Sequence, residues 1–134
     1  MPKATEFTSE LGIESIRLGD GECVMELEIA PLHLSRADRV HGGVYFTMLD
    51  TVMGRAIISR LPEGRGCATI DAHINYFRPA QAGRIRAVGE CVRLTRRTAY
   101  AEGTLLDEEG NMLARSSGTF FLTESIEQSD RERV

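Results

Sequence analysis

The chain has 134 residues, of which 42% are hydrophobic and 27% charged, with a formal net charge of −4. This length suits one domain with its own core, and the mildly acidic balance excludes the basic surface typical of nucleic-acid-binding proteins. No apolar run approaches the length of a membrane span, and the N-terminal segment MPKATEFTSELG lacks the apolar centre of a signal peptide, so we expect a cytoplasmic protein without a membrane anchor.

Two short strands are predicted near the N-terminus, at residues 11–18 and 22–30, on either side of the turn sequence GDG. In the second segment apolar residues alternate with acidic ones, which is typical of a half-buried strand. Residues 31–40 have no clear period and are predicted to form a loop.

One helix is predicted from Gly42 to about Arg60. Its apolar side chains cover nearly the whole circumference, and a helix with this pattern is normally buried. The sequence LPEGRG ends the helix, because Pro62 and the glycines around it do not continue a helix.

Four longer strands are predicted after the helix, at residues 67–79, 84–94, 97–107 and 112–122, and their short connections favour an antiparallel meander. The predicted fold is therefore α+β, a single domain over residues 1–122 in which a long antiparallel sheet wraps around one central helix. One helix covers only part of such a sheet, so we expect a partner subunit to cover the rest. Residues 123–134 are polar and are expected to form a flexible tail.

The sequence HGGVYFTMLD places a histidine, two glycines and one carboxylate at the start of the predicted helix. A helix N-terminus carries unpaired N–H groups and a partial positive charge, and Gly42 and Gly43 allow a ligand to approach the backbone closely. Such a site could stabilise an oxyanion. Asp50 shares a polar stripe with Thr51 and could act as a general base or nucleophile. Two plainer interpretations stay open: a tight turn before the helix, and a carboxylate bonded to a backbone or hydroxyl group.

The sequence VHGGVYFTMLDTVMGRAI resembles the His-Gly-Gly-x6-Asp signature of hotdog-fold acyl-CoA thioesterases, particularly the phenylacetate-pathway (PaaI-like) branch. The resemblance continues in ATIDAHINYFRPAQAG and RLTRRTAYAEGTLLDEEGNMLARSSGTFF, and it covers about residues 11–122. It implies a homodimer or homotetramer that hydrolyses an aryl or medium-chain acyl-CoA to free acid and CoA. No metal or redox cofactor is implied, since coenzyme A enters as part of the substrate.

The resemblance also implies roles for four residues. The Gly42 N–H would polarise the thioester carbonyl, and His41 beside it would help to position the thioester. Asp50 would activate the attacking water or attack the carbonyl itself. Thr69, on the strand after the helix, would help to hold the water.

Three positions depart from the pattern of the family. Ser35 stands where many relatives have asparagine, Asp38 where they often have glycine, and Thr95 where glycine commonly precedes an arginine. Serine offers a shorter side chain with fewer hydrogen bonds than asparagine. A non-catalytic acyl-CoA-binding protein therefore remains an alternative, as does a hotdog enoyl-CoA hydratase or dehydratase.

Three arginines at predicted strand ends are candidates for binding the CoA phosphates, because the guanidinium group suits bidentate contacts to phosphate. A solvated charged rim is the plainer alternative. The substrate-binding candidates are thus Ser35, Gly43, Thr51, Arg78, Arg96 and Arg97. The histidines lack zinc-site spacing, so no metal is expected. The cysteines, far apart and without a Cys-x-x-Cys pair, are expected to be small buried residues.

The separation of Gly42 and Asp50 predicts an assembly. They are eight positions apart on one predicted helix, which at about 1.5 Å per residue is roughly 12 Å along the axis. One thioester carbonyl cannot accept a hydrogen bond from Gly42 while Asp50 of the same helix acts on its carbon. If both act on one carbonyl, they must come from two chains, so the sequence predicts a dimer or a larger oligomer with shared sites.

Overall fold

The structure, a computed structural model, describes residues 6–124. The helices are α1 (Phe7–Glu10) and α2 (Gly42–Ile58), with a short 3-10 helix at Pro31–His33. The strands are β1 (Glu14–Gly19), β2 (Glu22–Glu28), β3 (Gly66–Tyr76), β4 (Arg84–Leu94), β5 (Thr98–Leu106) and β6 (Met112–Thr123). All six belong to one antiparallel sheet in the order β1-β2-β4-β5-β6-β3.

The helix and the six strands predicted from the sequence are all present, but the predicted meander is wrong for one strand. Strands β4, β5 and β6 pair in sequence order, whereas β3 pairs with β6 and lies at the edge of the sheet. The reason is that β2 already occupies the free side of β4, with Cys23 opposite Gly89. The chain after β3 must therefore cross the domain to reach β4. The short helices at Phe7–Glu10 and Pro31–His33 were not predicted.

Helix α2 packs into the concave face of the sheet, and its six most central apolar side chains have no exposed surface: Met48, Leu49, Val52, Met53, Ala56 and Ile57. A glycine on β4 permits this close approach. A Cβ at Gly89 would lie only 2.3 Å from the carbonyl oxygen of Val52, so any larger residue there would push the helix off the sheet. This arrangement confirms the predicted α+β fold with a central helix.

One side of α2 is not covered by the sheet. Phe46 and Ile58 are 41% and 38% exposed, and Asp50 between them is half-buried. The neighbouring edge strand β3 is also largely exposed, with Ile70 at 57%. The uncovered helix face and the edge strand thus form one continuous surface within residues 6–124.

The three cysteines are free, and two of them are buried as predicted. Cys23 and Cys91 are buried and Cys67 is half-buried, and burial raises the pKa of each thiol.

Among residues 6–124, no helix is both long and apolar enough to cross a membrane. Strand β6 extends to Thr123, one residue into the predicted tail. The remainder of that tail, from residue 125 onward, lies outside the described residues, as do residues 1–5.

Candidate active site

Helix α2 begins at Gly42 and is capped by an imidazole. His41 has an extended backbone, and its Nδ1 accepts a hydrogen bond of 2.8 Å from the N–H of Gly43. Because Nδ1 is the acceptor, the proton of the neutral ring lies on Nε2, which can then donate to a ligand. The exposed Gly42 N–H forms no hydrogen bond within residues 6–124. The helix head therefore offers two donors side by side.

Tyr76, the last residue of β3, contacts the same helix head, and the sequence did not single it out. Its hydroxyl donates to the Gly42 carbonyl at 3.0 Å, and its ring stacks on Tyr45 with centroids 6.0 Å apart. Burial raises the pKa of Tyr45 to about 12, helped by the charge of Asp107. The Tyr45 hydroxyl donates to the carbonyl of Arg78 at 3.1 Å. No local pattern could reveal Tyr76, because only strand pairing brings it to the helix.

A pocket of about 260 Å³ opens beside the helix head. Its walls include Tyr45, Tyr76 and Phe77, and two arginines, Arg39 and Arg78, line it as well. Aromatic walls with a few polar groups are typical of small-molecule sites. The pocket could therefore receive an apolar group together with a nearby anion.

Asp50 and Thr69 are brought together by tertiary structure. Asp50 is half-buried on α2, and its Oδ1 accepts a hydrogen bond of 2.8 Å from Oγ1 of Thr69 on β3. A bulge between Thr69 and Asp71 interrupts the pairing of β3 with β6, and such bulges re-aim side chains. Within the described part of the chain, Oδ2 of Asp50 has no partner. A water molecule bound between this oxygen and the threonine hydroxyl would lie beside a carboxylate that can accept its proton.

Small side chains lie near Asp50 on the helix. Gly54 lies one turn further along α2, where a Cβ would contact Phe120 at 3.5 Å and Cys67 at 3.7 Å. Cys67 lies near the carboxylate as well: burial, and after it the charge of Asp50, raises the pKa of its thiol to about 11. Thr51, a substrate-binding candidate, is half-buried next to Asp50 in the sequence.

The loop before the helix is held by its own backbone. Ser35 donates its N–H to the carbonyl of Arg39 at 2.7 Å, and its Oγ accepts from the N–H of Ala37 at 3.3 Å. The serine hydroxyl is therefore engaged within its own loop. Asp38 has a left-handed backbone, with φ of 54°, a conformation that glycine adopts freely and that aspartate tolerates better than most residues.

The candidate arginines do not converge within one chain. Arg78 lines the pocket at the helix head, whereas Arg96 and Arg97 lie in the turn between β4 and β5. Along β6, Ala114 pairs with the end of β3 and Phe121 pairs with the start of β5. These points are seven residues apart, or about 23 Å in a strand. The two groups of arginines lie near opposite ends of the sheet.

Gly42 and Asp50 are also separated, because α2 is one continuous helix from Gly42 to Ile58. The rise of about 12 Å predicted from the sequence therefore applies.

The other two histidines lie apart from the helix head. His33 is buried, with Nδ1 accepting from the Ala30 N–H and Nε2 bonded to the Leu11 carbonyl, and His73 is exposed on β3. Among the described residues, no three His, Cys, Asp or Glu side chains are grouped as metal ligands.

Comparison with known proteins places this geometry in a family. The Thioesterase superfamily matches residues 38–114, more than half of the chain. A point mutant of the phenylacetic acid degradation protein PaaI from Thermus thermophilus is 32% identical, with 86% of this chain and 96% of that chain covered and a TM-score of 0.79.

Two further relatives agree. A hypothetical thioesterase from Streptococcus pneumoniae, solved with coenzyme A, is 26% identical with a TM-score of 0.78, and the match covers 84% of this chain and 90% of that chain. Human acyl-coenzyme A thioesterase 13 is 27% identical over 84 residues, which are 62% of this chain and 59% of the human protein. With the six-stranded sheet around α2, these matches show that the chain belongs to the hotdog-fold Thioesterase superfamily and is a thioester hydrolase.

Proposed function

We propose that this thioester hydrolase acts on acyl-CoA, releasing a free acid and coenzyme A. The observation that carries the proposal is the hydrogen bond from the Thr69 hydroxyl to Asp50. Asp50 lies on α2, the helix whose first residue, Gly42, has an N–H without a partner among the described residues. A carboxylate with one oxygen held and the other open suits a base or nucleophile. The relative solved with coenzyme A supports this substrate class.

In this scheme the thioester carbonyl accepts from the Gly42 N–H and from Nε2–H of His41. Water held between Asp50 and Thr69 gives a proton to Asp50 as its oxygen bonds to the carbonyl carbon. The helix-head donors stabilise the resulting oxyanion. Collapse then breaks the carbon–sulfur bond, and the proton passes from Asp50 to the departing thiolate. Alternatively, Asp50 attacks directly and water hydrolyses the resulting anhydride.

The two Asp50 mechanisms give different isotope patterns. In a single turnover in labelled water, label in the Asp50 carboxylate would show an anhydride that water opened at the aspartyl carbon, whereas base catalysis places the label only in the product acid. Neither route requires a metal, so dialysis against a chelator should leave activity unchanged. A cytoplasmic location stays a prediction from the sequence.

Because Gly42 and Asp50 cannot meet within one helix, we propose a homodimer with two shared sites. The exposed edge strand β3 and the uncovered face of α2, with Phe46 and Ile70, form the surface that a second copy would cover. A two-fold axis between antiparallel helices would bring each Gly42 to the partner's carboxylate and create two equivalent sites. We further propose that two such dimers pair into a homotetramer.

A panel of acyl-CoA esters tests the activity directly. Thiol release with matching amounts of free acid is expected for aryl or medium-chain substrates. Water addition to an enoyl-CoA without thiol release would favour the hydratase, and binding without turnover would favour the binding protein. Either result would overturn the proposed reaction.

Mixed dimers test the shared site. Asp50→Ala and Gly42→Pro should each be inactive as homodimers, but refolding them together should restore one intact site in each mixed dimer. Half of the dimers would be mixed, so activity should reach about a quarter of normal. No recovery, with subunit exchange shown independently by mass spectrometry, would mean that the site is not shared between chains.

A further inference from the structure

The peptide group between Gly42 and Gly43 is held on both of its sides. Its carbonyl accepts from the Tyr76 hydroxyl at 3.0 Å, and its N–H donates to Nδ1 of His41 at 2.8 Å. The Tyr76 ring also lies against Gly42, where a Cβ would be 3.5 Å from a ring carbon. This clamp adjoins the N–H that the proposed mechanism uses.

The first turn of α2 has little helical stability of its own. Two successive glycines are poor helix formers, and the first N–H groups of any helix lack helical partners. Tyr76 is 52% exposed, but it ends strand β3 and its ring stacks on Tyr45, which is only 3% exposed. The hydroxyl thus links the two glycines at the start of α2, which favour a helix only weakly, to the end of a sheet strand.

We propose that Tyr76 is a positioning residue, whose hydroxyl fixes the Gly42–Gly43 peptide and thereby aims the Gly42 N–H and the His41 ring at the thioester carbonyl. The Gly42 N–H belongs to the preceding peptide group, and only the φ and ψ torsions of Gly42 link it to the peptide that the hydroxyl holds. The same peptide holds His41 Nδ1, so it also sets the direction of Nε2–H. This role rests on the proposed function.

The test is Tyr76→Phe, which removes the hydroxyl and keeps the ring and the pocket wall. Tyr100→Phe is the matched control, since it removes a hydroxyl that donates to Glu102 at 3.2 Å. Tyr100 lies between buried Ala99 and Ala101 on β5 and so faces away from α2.

For Tyr76→Phe, kcat on an acyl-CoA should fall about three- to tenfold, the effect of one lost neutral hydrogen bond, with KM nearly unchanged. Amide hydrogen exchange at Gly43, followed by NMR, should become faster. Neither change is expected for Tyr100→Phe.

Other outcomes would overturn the role. A higher KM with normal kcat would make Tyr76 a substrate-binding residue, and a lower Tm with normal kcat would make it purely structural. Unchanged exchange at Gly43 would mean that the hydroxyl does not hold the peptide. If the unmodified protein releases no thiol from any acyl-CoA, the proposed function fails, while the exchange at Gly43 still decides whether Tyr76 holds the helix head.

Discussion

Replacing Gly42 by proline removes one N–H from the helix head and little else. Proline is favoured at the first position of a helix, where its missing N–H breaks no helical bond. His41 before it has ψ of 136°, the extended conformation that a residue before proline adopts. A Cβ at Gly42 would meet the Tyr76 ring at 3.5 Å, an ordinary contact. The fold should therefore tolerate Gly42→Pro.

If this N–H stabilises the oxyanion, Gly42→Pro should lower kcat by about 10²- to 10³-fold, the effect of losing one oxyanion donor. Gly42→Ala is the matched control, because it adds a Cβ at the same place and keeps the N–H, and it should stay within about threefold of normal. Thiol release from an acyl-CoA gives kcat, and Tm and circular dichroism report the fold.

Two results would refute this reasoning. A folded Gly42→Pro protein with nearly normal kcat would show that the N–H does not contact the reacting carbonyl. A Gly42→Ala protein as inactive as Gly42→Pro would show that the shape of the helix head matters and not its donor.

Four further predictions follow from named contacts. Asp50→Asn can keep the bond to the strand hydroxyl but cannot act as a base, so thiol release should fall at least about a hundredfold; near-normal turnover by the folded variant would remove Asp50 from the chemistry. Arg78→Ala and Arg97→Ala should each raise KM for CoA esters more than for N-acetylcysteamine thioesters, which lack the nucleotide, and equal effects on both substrates would make these arginines structural. Gly89→Ala places a Cβ 2.3 Å from the backbone of α2, so it should destabilise the fold by about 1–3 kcal/mol, and an unchanged Tm would contradict the close packing. Cys67, whose pKa is about 11, should be roughly one part in a thousand thiolate at pH 8; its alkylation by iodoacetamide should rise about tenfold per pH unit up to that pKa, and rapid labelling at pH 8 would show that burial does not protect the thiol.

The sequence was sufficient for the elements and for part of the site. The helix start at Gly42 and the bounds of β4 were predicted to the residue, because apolar period, glycine and proline act over a few neighbouring positions. The same local reasoning placed the carboxylate of Asp50 on a polar stripe of the helix. Thr69 was implied by the family resemblance alone, and the structure brings it to that carboxylate.

Other features were beyond the reach of local patterns. Strand β3 was expected beside β4, yet it lies at the sheet edge, because β2 fills that position and strand pairing depends on which edges remain free. Arg78 and Arg97 looked like one group of strand-end cations, but strand direction sends them to opposite ends of the sheet.

The sequence by itself determined the α+β elements, the open N–H at Gly42 and the spacing of about 12 Å that separates it from Asp50, since a helix has a fixed rise. Only the tertiary structure decided which groups complete the site. Tyr76 reaches the Gly42 carbonyl from 34 residues away, and Thr69 reaches Asp50 from 19 residues away. Such contacts arise when the sheet wraps around the helix to bury its apolar face, and the balance of burial over a whole domain is not encoded in any short segment.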